Sequence, residues 1–145
     1  MQPVIVVNPT AIVVSVVVSF VIGAIWYGPL FGKTWAQAMG MSAQPSGAEI
    51  ARGSLFNIIG LFLMAYVLAH GVAVWRPSTW GVAGADQEAW VYGFYGGFFV
   101  WLGYVMPILL NSVAFERKSW TAFGIQLGYQ FISLQAMGMI LSHWR

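Results

Sequence analysis

The sequence predicts an all-α membrane protein: four transmembrane helices in an antiparallel bundle, with a short interfacial segment after the first. Three observations predict it. Hydrophobic residues fill 59% of the 145 positions and charged residues only 7%, against roughly 25% charged in soluble domains. The charges, six Lys/Arg and four Asp/Glu, are bunched, so residues 1–32, 53–75, 89–115 and 119–144 carry none. Each of these windows exceeds the roughly 20 residues that a helix needs to cross the hydrocarbon core of a bilayer. One membrane domain then spans 1–145, with helices at about 9–28, 54–75, 87–115 and 120–143. Too little chain remains for a water-soluble enzyme, a nucleic-acid binder or a disordered linker.

The first helix starts at Asn8-Pro9-Thr10, since Asn caps a helix and Pro suits its first turn. It is expected to stop before Pro29, because the residue preceding a proline is pushed out of the helical region. The charge-free start Met1–Asn8 lacks the basic region of a secretory leader, so the segment reads as a retained transmembrane helix. Leu30–Gly40 reads as interfacial, with Phe31, Trp35 and Met39 four apart on one face at the depth aromatic residues favour. Ser42–Gly47 is a loop.

The second helix closes at Arg76-Pro77. Asp86 is expected to cap the third, with Glu88 in its first turn where the helix dipole favours acid. That helix contains Pro107 and is long enough to tilt or kink. Ser119 opens the fourth, and the short Glu116–Lys118 link makes helices three and four neighbours. Lys33, Arg52, Arg117 and Lys118 fall on one side of the membrane, against Arg76 and Arg145 with Asp86 and Glu88 on the other. The positive-inside rule then places both termini on the non-cytoplasmic side of the plasma (inner) membrane.

Chemistry-bearing residues are few. There is no cysteine, no metal-spaced His/Asp/Glu set and no nucleophile or phosphate-loop motif. No enzymatic activity, metal or cofactor is therefore expected. Six basic residues scattered along the chain form no nucleic-acid footprint. His70 lies near the end of helix two. It is either an interfacial histidine bonded to a backbone carbonyl or Tyr, or a haem or pigment ligand. Asn57, Asn111, Gln126 and Gln130 fall at similar depth in the opposite leaflet. They serve either as interhelical hydrogen bonds or as a polar pocket that binds without catalysing. Gly93/Gly97, Gly124/Gly128 and Gly28/Gly32 are small-residue pairs four apart, which let helix backbones approach closely. On helix four the glycines lie about two residues' rotation from Gln126/Gln130, so that helix has two packing faces.

The stretch Gly23-Ala-Ile-Trp-Tyr-Gly-Pro-Leu-Phe-Gly-Lys-Thr-Trp35, followed by Met39-Gly40, resembles the signature of the DUF1761 family of small bacterial integral membrane proteins. Phe115-Glu116-Arg117, Gly128-Tyr129, Met137-Gly138 and Trp144 fit the same pattern, whereas Asn8-Pro9 departs from it by lacking an aromatic after the Asn. The resemblance implies a compact four-helix membrane protein and no particular activity. The expected role is contact between helices, as a homo-oligomer or an accessory subunit of a larger membrane complex. The alternative is a small carrier or binding protein for a lipid or apolar solute. The expected partners are membrane lipids and other membrane subunits or a second copy.

Overall fold

The computed structural model describes residues 2–145. Among these the regular structure is helical, with no strand. Six α-helices follow in order: α1 (Pro9–Ile25), α2 (Gly32–Ala38), α3 (Gly47–Val74), α4 (Ala89–Val100), α5 (Met106–Glu116) and α6 (Trp120–His143). A π-helical turn, Trp26–Leu30, extends α1, and a second, Trp101–Val105, joins α4 to α5. Three helical stretches, Pro9–Leu30, Gly47–Val74 and Ala89–Glu116, are long and apolar enough to cross a membrane.

Two of the three expected caps form. The Asn8 carboxamide oxygen accepts from the Thr10 and Ala11 amides at 2.9 and 3.2 Å, and the Ser119 hydroxyl accepts from Ala122 at 3.1 Å.

The helix boundaries differ in three places. Helical structure does not stop before Pro29 but runs to Leu30. In an α-helix the Pro29 ring would collide with the carbonyl four residues back. The wider π turn passes the Trp26 carbonyl to the Phe31 amide, five residues on, at 2.9 Å. A similar turn covers Gly103, the residue four before Pro107. Second, α3 starts at Gly47 rather than 54. Ser46 and Glu49 close a capping box, the Ser46 amide donating to the Glu49 carboxylate at 2.8 Å and the Glu49 amide to the Ser46 hydroxyl at 3.3 Å. Third, Asp86 does not cap α4. Glu88 holds that position without a side-chain bond, while Asp86 is drawn to partners on distant segments.

The core joins α1, α3 and α6 through Ala11, Ile12 and Val16, then Leu61, Ala65, Leu68 and Val72, then Leu134, Met137 and Leu141. The α3 members recur three and four residues apart, the spacing that puts them on one helical face. Helix α6 is the innermost element, with nine buried residues against six in α1 and five in α3. One side of it meets α4: a Cβ on Gly93 would come within 2.6 Å of the Gly138 carbonyl oxygen, and one on Gly97 within 2.8 Å of the Leu134 oxygen. Another side meets α1, where the Tyr129 hydroxyl donates to the Ser19 carbonyl at 3.2 Å and the Trp26 indole to the Ile125 carbonyl at 2.9 Å. Along both contacts residue numbers rise on one helix as they fall on α6.

Candidate functional site: a groove and the charged cluster at its end

Helices α3 and α4 touch at Gly96, where an added Cβ would sit 3.2 Å from Val72 Cγ2. Beside that contact they leave a groove of about 840 Å³. Met64, Val67, Leu68 and Gly71 line it from α3 and Trp75 from its C-cap, the pairs 64/68, 67/71 and 71/75 each four apart along one broad face. Tyr92, Tyr95, Phe99 and Val100 line it from α4, Tyr104 from the π turn, and Leu134 of α6 contributes behind them. The Pro77, Ala85 and Gln87 side chains border one end. The wall is aliphatic and aromatic, with polarity confined to tyrosine hydroxyls, the Trp75 indole and Gln87.

At that end stands Arg76, only 3% exposed. Its Nη2 donates to the Ser142 carbonyl at 2.5 Å, its Nη1 lies 3.8 Å from the Asp86 carboxylate, and its guanidinium carbon lies 4.6 Å from the Tyr92 ring centre. Burial pushes the Arg76 pKa down and the Arg145 charge adds to this, while Asp86 and Tyr92 oppose both. Asp86 accepts from the Ser78 hydroxyl at 2.6 Å, the Ser78 amide at 2.8 Å and Arg145 Nη2 at 3.1 Å. These bonds, the Ser78 hydroxyl first, hold its carboxyl below the ordinary value. The Tyr92 hydroxyl accepts from the Gln87 amide at 2.9 Å, tying the groove wall to the same loop.

Residues 10–142 match the family described as a protein of unknown function (DUF1761). The chain belongs to the DUF1761 family. No curated protein and no solved structure matches it.

In this DUF1761 protein the signature segment forms an aromatic cluster at the end of α1, away from the groove. Trp26 packs on Phe31 at 4.8 Å between ring centres, and Tyr27 meets Trp35 at 5.0 Å and Tyr129 at 5.3 Å, both edge-on. With the Trp26 indole bond to α6, these contacts brace the π turn that Pro29 requires.

The glycines expected to pack helices divide. Gly93 and Gly97 press against α6, and Gly128 accommodates Trp26, whose ring carbon would lie 2.9 Å from an added Cβ. Gly28 and Gly124 meet nothing within 4 Å, and Gly32 meets only the Tyr27 carbonyl of its own turn. Gly138, the backbone partner of Gly93, has Ser142 four positions on, and both face Gly93, a small-residue pair that a search for glycine pairs alone passes over.

Of the expected polar set, Asn57 and Asn111 are exposed and Gln126 is partly buried. Gln130 holds its amide oxygen buried without a partner. None of the four lines the groove. His70 Nδ1 donates to the Tyr66 carbonyl at 2.8 Å and its ring packs on Tyr66 at 4.5 Å. His143 Nδ1 lies 2.9 Å from the Met139 carbonyl. Each histidine is thus engaged by its own helix. Among the described residues no three His, Cys, Asp or Glu side chains gather as a metal site.

Proposed function

We propose that this protein is a four-span plasma-membrane protein that binds the hydrocarbon chain of a membrane lipid, or an apolar solute of similar shape, in the α3–α4 groove. The groove carries the reading. Its volume of about 840 Å³ lies in the roughly 300–1,000 Å³ range of ligand sites, which are mostly apolar with a few polar groups. In a bilayer a cleft walled by Val67, Phe99 and Tyr104 faces acyl chains, the most abundant apolar species there. The role is binding rather than catalysis. Helix α6 serves as the fourth span, with Ser133 and Ser142 buried and Gln135 donating to the Phe94 carbonyl of α4. Lys33, Arg52, Arg117 and Lys118 orient both termini away from the cytoplasm.

Native mass spectrometry of the detergent-purified protein tests this reading. Gly71 lines the groove and an added Cβ there meets nothing within 4 Å, so Gly71→Phe fills the cleft without a backbone clash. The wild type is expected to retain lipid and Gly71→Phe to lose it at unchanged helicity. A lipid-free wild type, or equal retention in the variant, overturns the reading.

Association with a second copy or a larger complex is the second reading, favoured by Gly28 and Gly124, which stand open. A dimer in nanodiscs that Gly124→Leu dissociates would support it, and a monomer in both would remove it.

A further inference from the structure

A second, much smaller cavity, of about 20 Å³, lies among the approach to α1, the end of α3 and the end of α6. Its volume suits a single particle of water's size, for which about 10–15 Å³ suffices. Asn8, Arg76, Trp144 and Arg145 supply its polar side chains, and Val72 and Leu141 are among its apolar ones.

Those four side chains present donors. The Asn8 carboxamide oxygen is already taken by the Thr10 and Ala11 amides, which leaves its NH₂ group. The two guanidinium groups and the Trp144 indole N–H have no acceptor capacity. Arg76 is 3% exposed, and its Nε is buried with no hydrogen-bond partner, Nη2 being committed to Ser142 and Nη1 facing Asp86. A buried guanidinium N–H left unmatched is costly, and an occupant that accepts would remove that cost. Water satisfies such a donor but brings two hydrogens that need acceptors of their own. A small anion needs donors only. The charged side chains at the site are two guanidinium groups against the single Asp86 carboxylate, so a monoanion also balances the charge.

We propose that this cavity binds a small monoanion of the halide class, held by Arg76 Nε, Arg145 and the Asn8 amide. Two guanidinium groups against one carboxylate leave a single positive charge, which a monoanion matches better than divalent phosphate or sulfate. The site uses neither the groove nor its ligand, so either can stand without the other.

The test is thermal melting of the detergent-purified protein in chloride, bromide, sulfate or gluconate at equal ionic strength. Chloride and bromide are expected to raise the melting temperature saturably over gluconate, as a ligand of the native state does, whereas sulfate, excluded from the surface, is expected to raise it only in proportion to its concentration. Asn8→Asp keeps a capping oxygen of equal quality but sets a carboxylate at the cavity, and should abolish the chloride shift. Arg145→Gln, at a side chain 54% exposed, should fold normally and sharply reduce it. In bromide-grown crystals an anomalous peak is expected beside Arg76 Nε. Equal melting in chloride and gluconate, a saturable shift from sulfate equal to that from chloride, or a full chloride shift in both variants overturns the proposal.

Discussion

The guanidinium carbon of Arg76 stands 4.6 Å from the centre of the Tyr92 ring, and Tyr92 also lines the α3–α4 groove. One aromatic side chain therefore covers a buried cation and walls an apolar cleft. Its hydroxyl, bonded to the Gln87 amide, fixes the loop that borders that cleft.

Substitutions at Tyr92 are expected to separate these roles. Tyr92→Leu removes a cation–π contact with a desolvated cation, about 2 kcal/mol, and should lower the melting temperature and the retained lipid together. Tyr92→Phe keeps the ring and loses only the Gln87 bond, about 1 kcal/mol. It should retain lipid like the wild type. Melting curves and native mass spectra of the two variants check both arms.

The glycines of the α4–α6 contact and the open glycine of α6 should respond in opposite directions. A Cβ on Gly93 would meet the Gly138 carbonyl and the Ser142 hydroxyl, each at 2.6 Å. Two backbones would have to separate, so Gly93→Ala is expected to destabilise by about 1–3 kcal/mol, the range for overpacked sites. Gly124 meets nothing within 4 Å, and Gly124→Ala should stabilise by about 0.5–1 kcal/mol through the helical preference of alanine. Thermal melting of both variants decides the matter.

Features set by neighbours in sequence were readable from it, and those set by distant segments were not. Asn8 and Ser119 cap because their oxygens need only an amide two or three residues on. The Ser46/Glu49 box is equally local, but Pro45 and Gly47 beside it read as loop. Asp86 was misplaced because its partners Ser78 and Arg145 lie 8 and 59 positions away, and nothing beside Asp86 in sequence records either. Gly93 and Gly97 stood out as a pair, whereas their partner surface at Leu134 and Gly138 did not. The groove was the least legible feature. It exists because α3 and α4 touch at Gly96 without closing along their whole length, a property of two helices that neither shows alone. His70, by contrast, bonds the carbonyl four residues back, a partner within its own helix.

Arg117 is the one non-glycine residue with positive φ among the described residues, at φ 58° and ψ 28°. It ends α5 in the left-handed conformation, with the Lys118 amide reaching back to the Ser112 carbonyl at 3.2 Å. An L-residue there carries a steric penalty of about 1 kcal/mol that glycine avoids. Arg117→Gly is expected to raise stability by about that amount. Arg117→Val should lower it, since a β-branched side chain suits this conformation least. Melting temperatures of the two variants should bracket the wild type.

The Asp86 cluster fixes the direction of an acid transition. Its carboxyl pKa is below the ordinary 3.8 in the folded protein, held there first by Ser78 and then by Arg145. A depressed folded pKa means that the unfolded chain binds the proton more readily. The stabilisation is therefore present above about pH 4 and is lost as pH falls through the folded value. Protonation would weaken the bonds that pin the 76–88 loop against Arg76 and Arg145. The wild-type melting temperature is expected to fall on acidification below pH 4. Asp86→Asn, which keeps an acceptor but carries no titrating proton, should melt lower at neutral pH and show a shallower decline across the acid window. Parallel declines in the two proteins would assign the transition to other carboxylates.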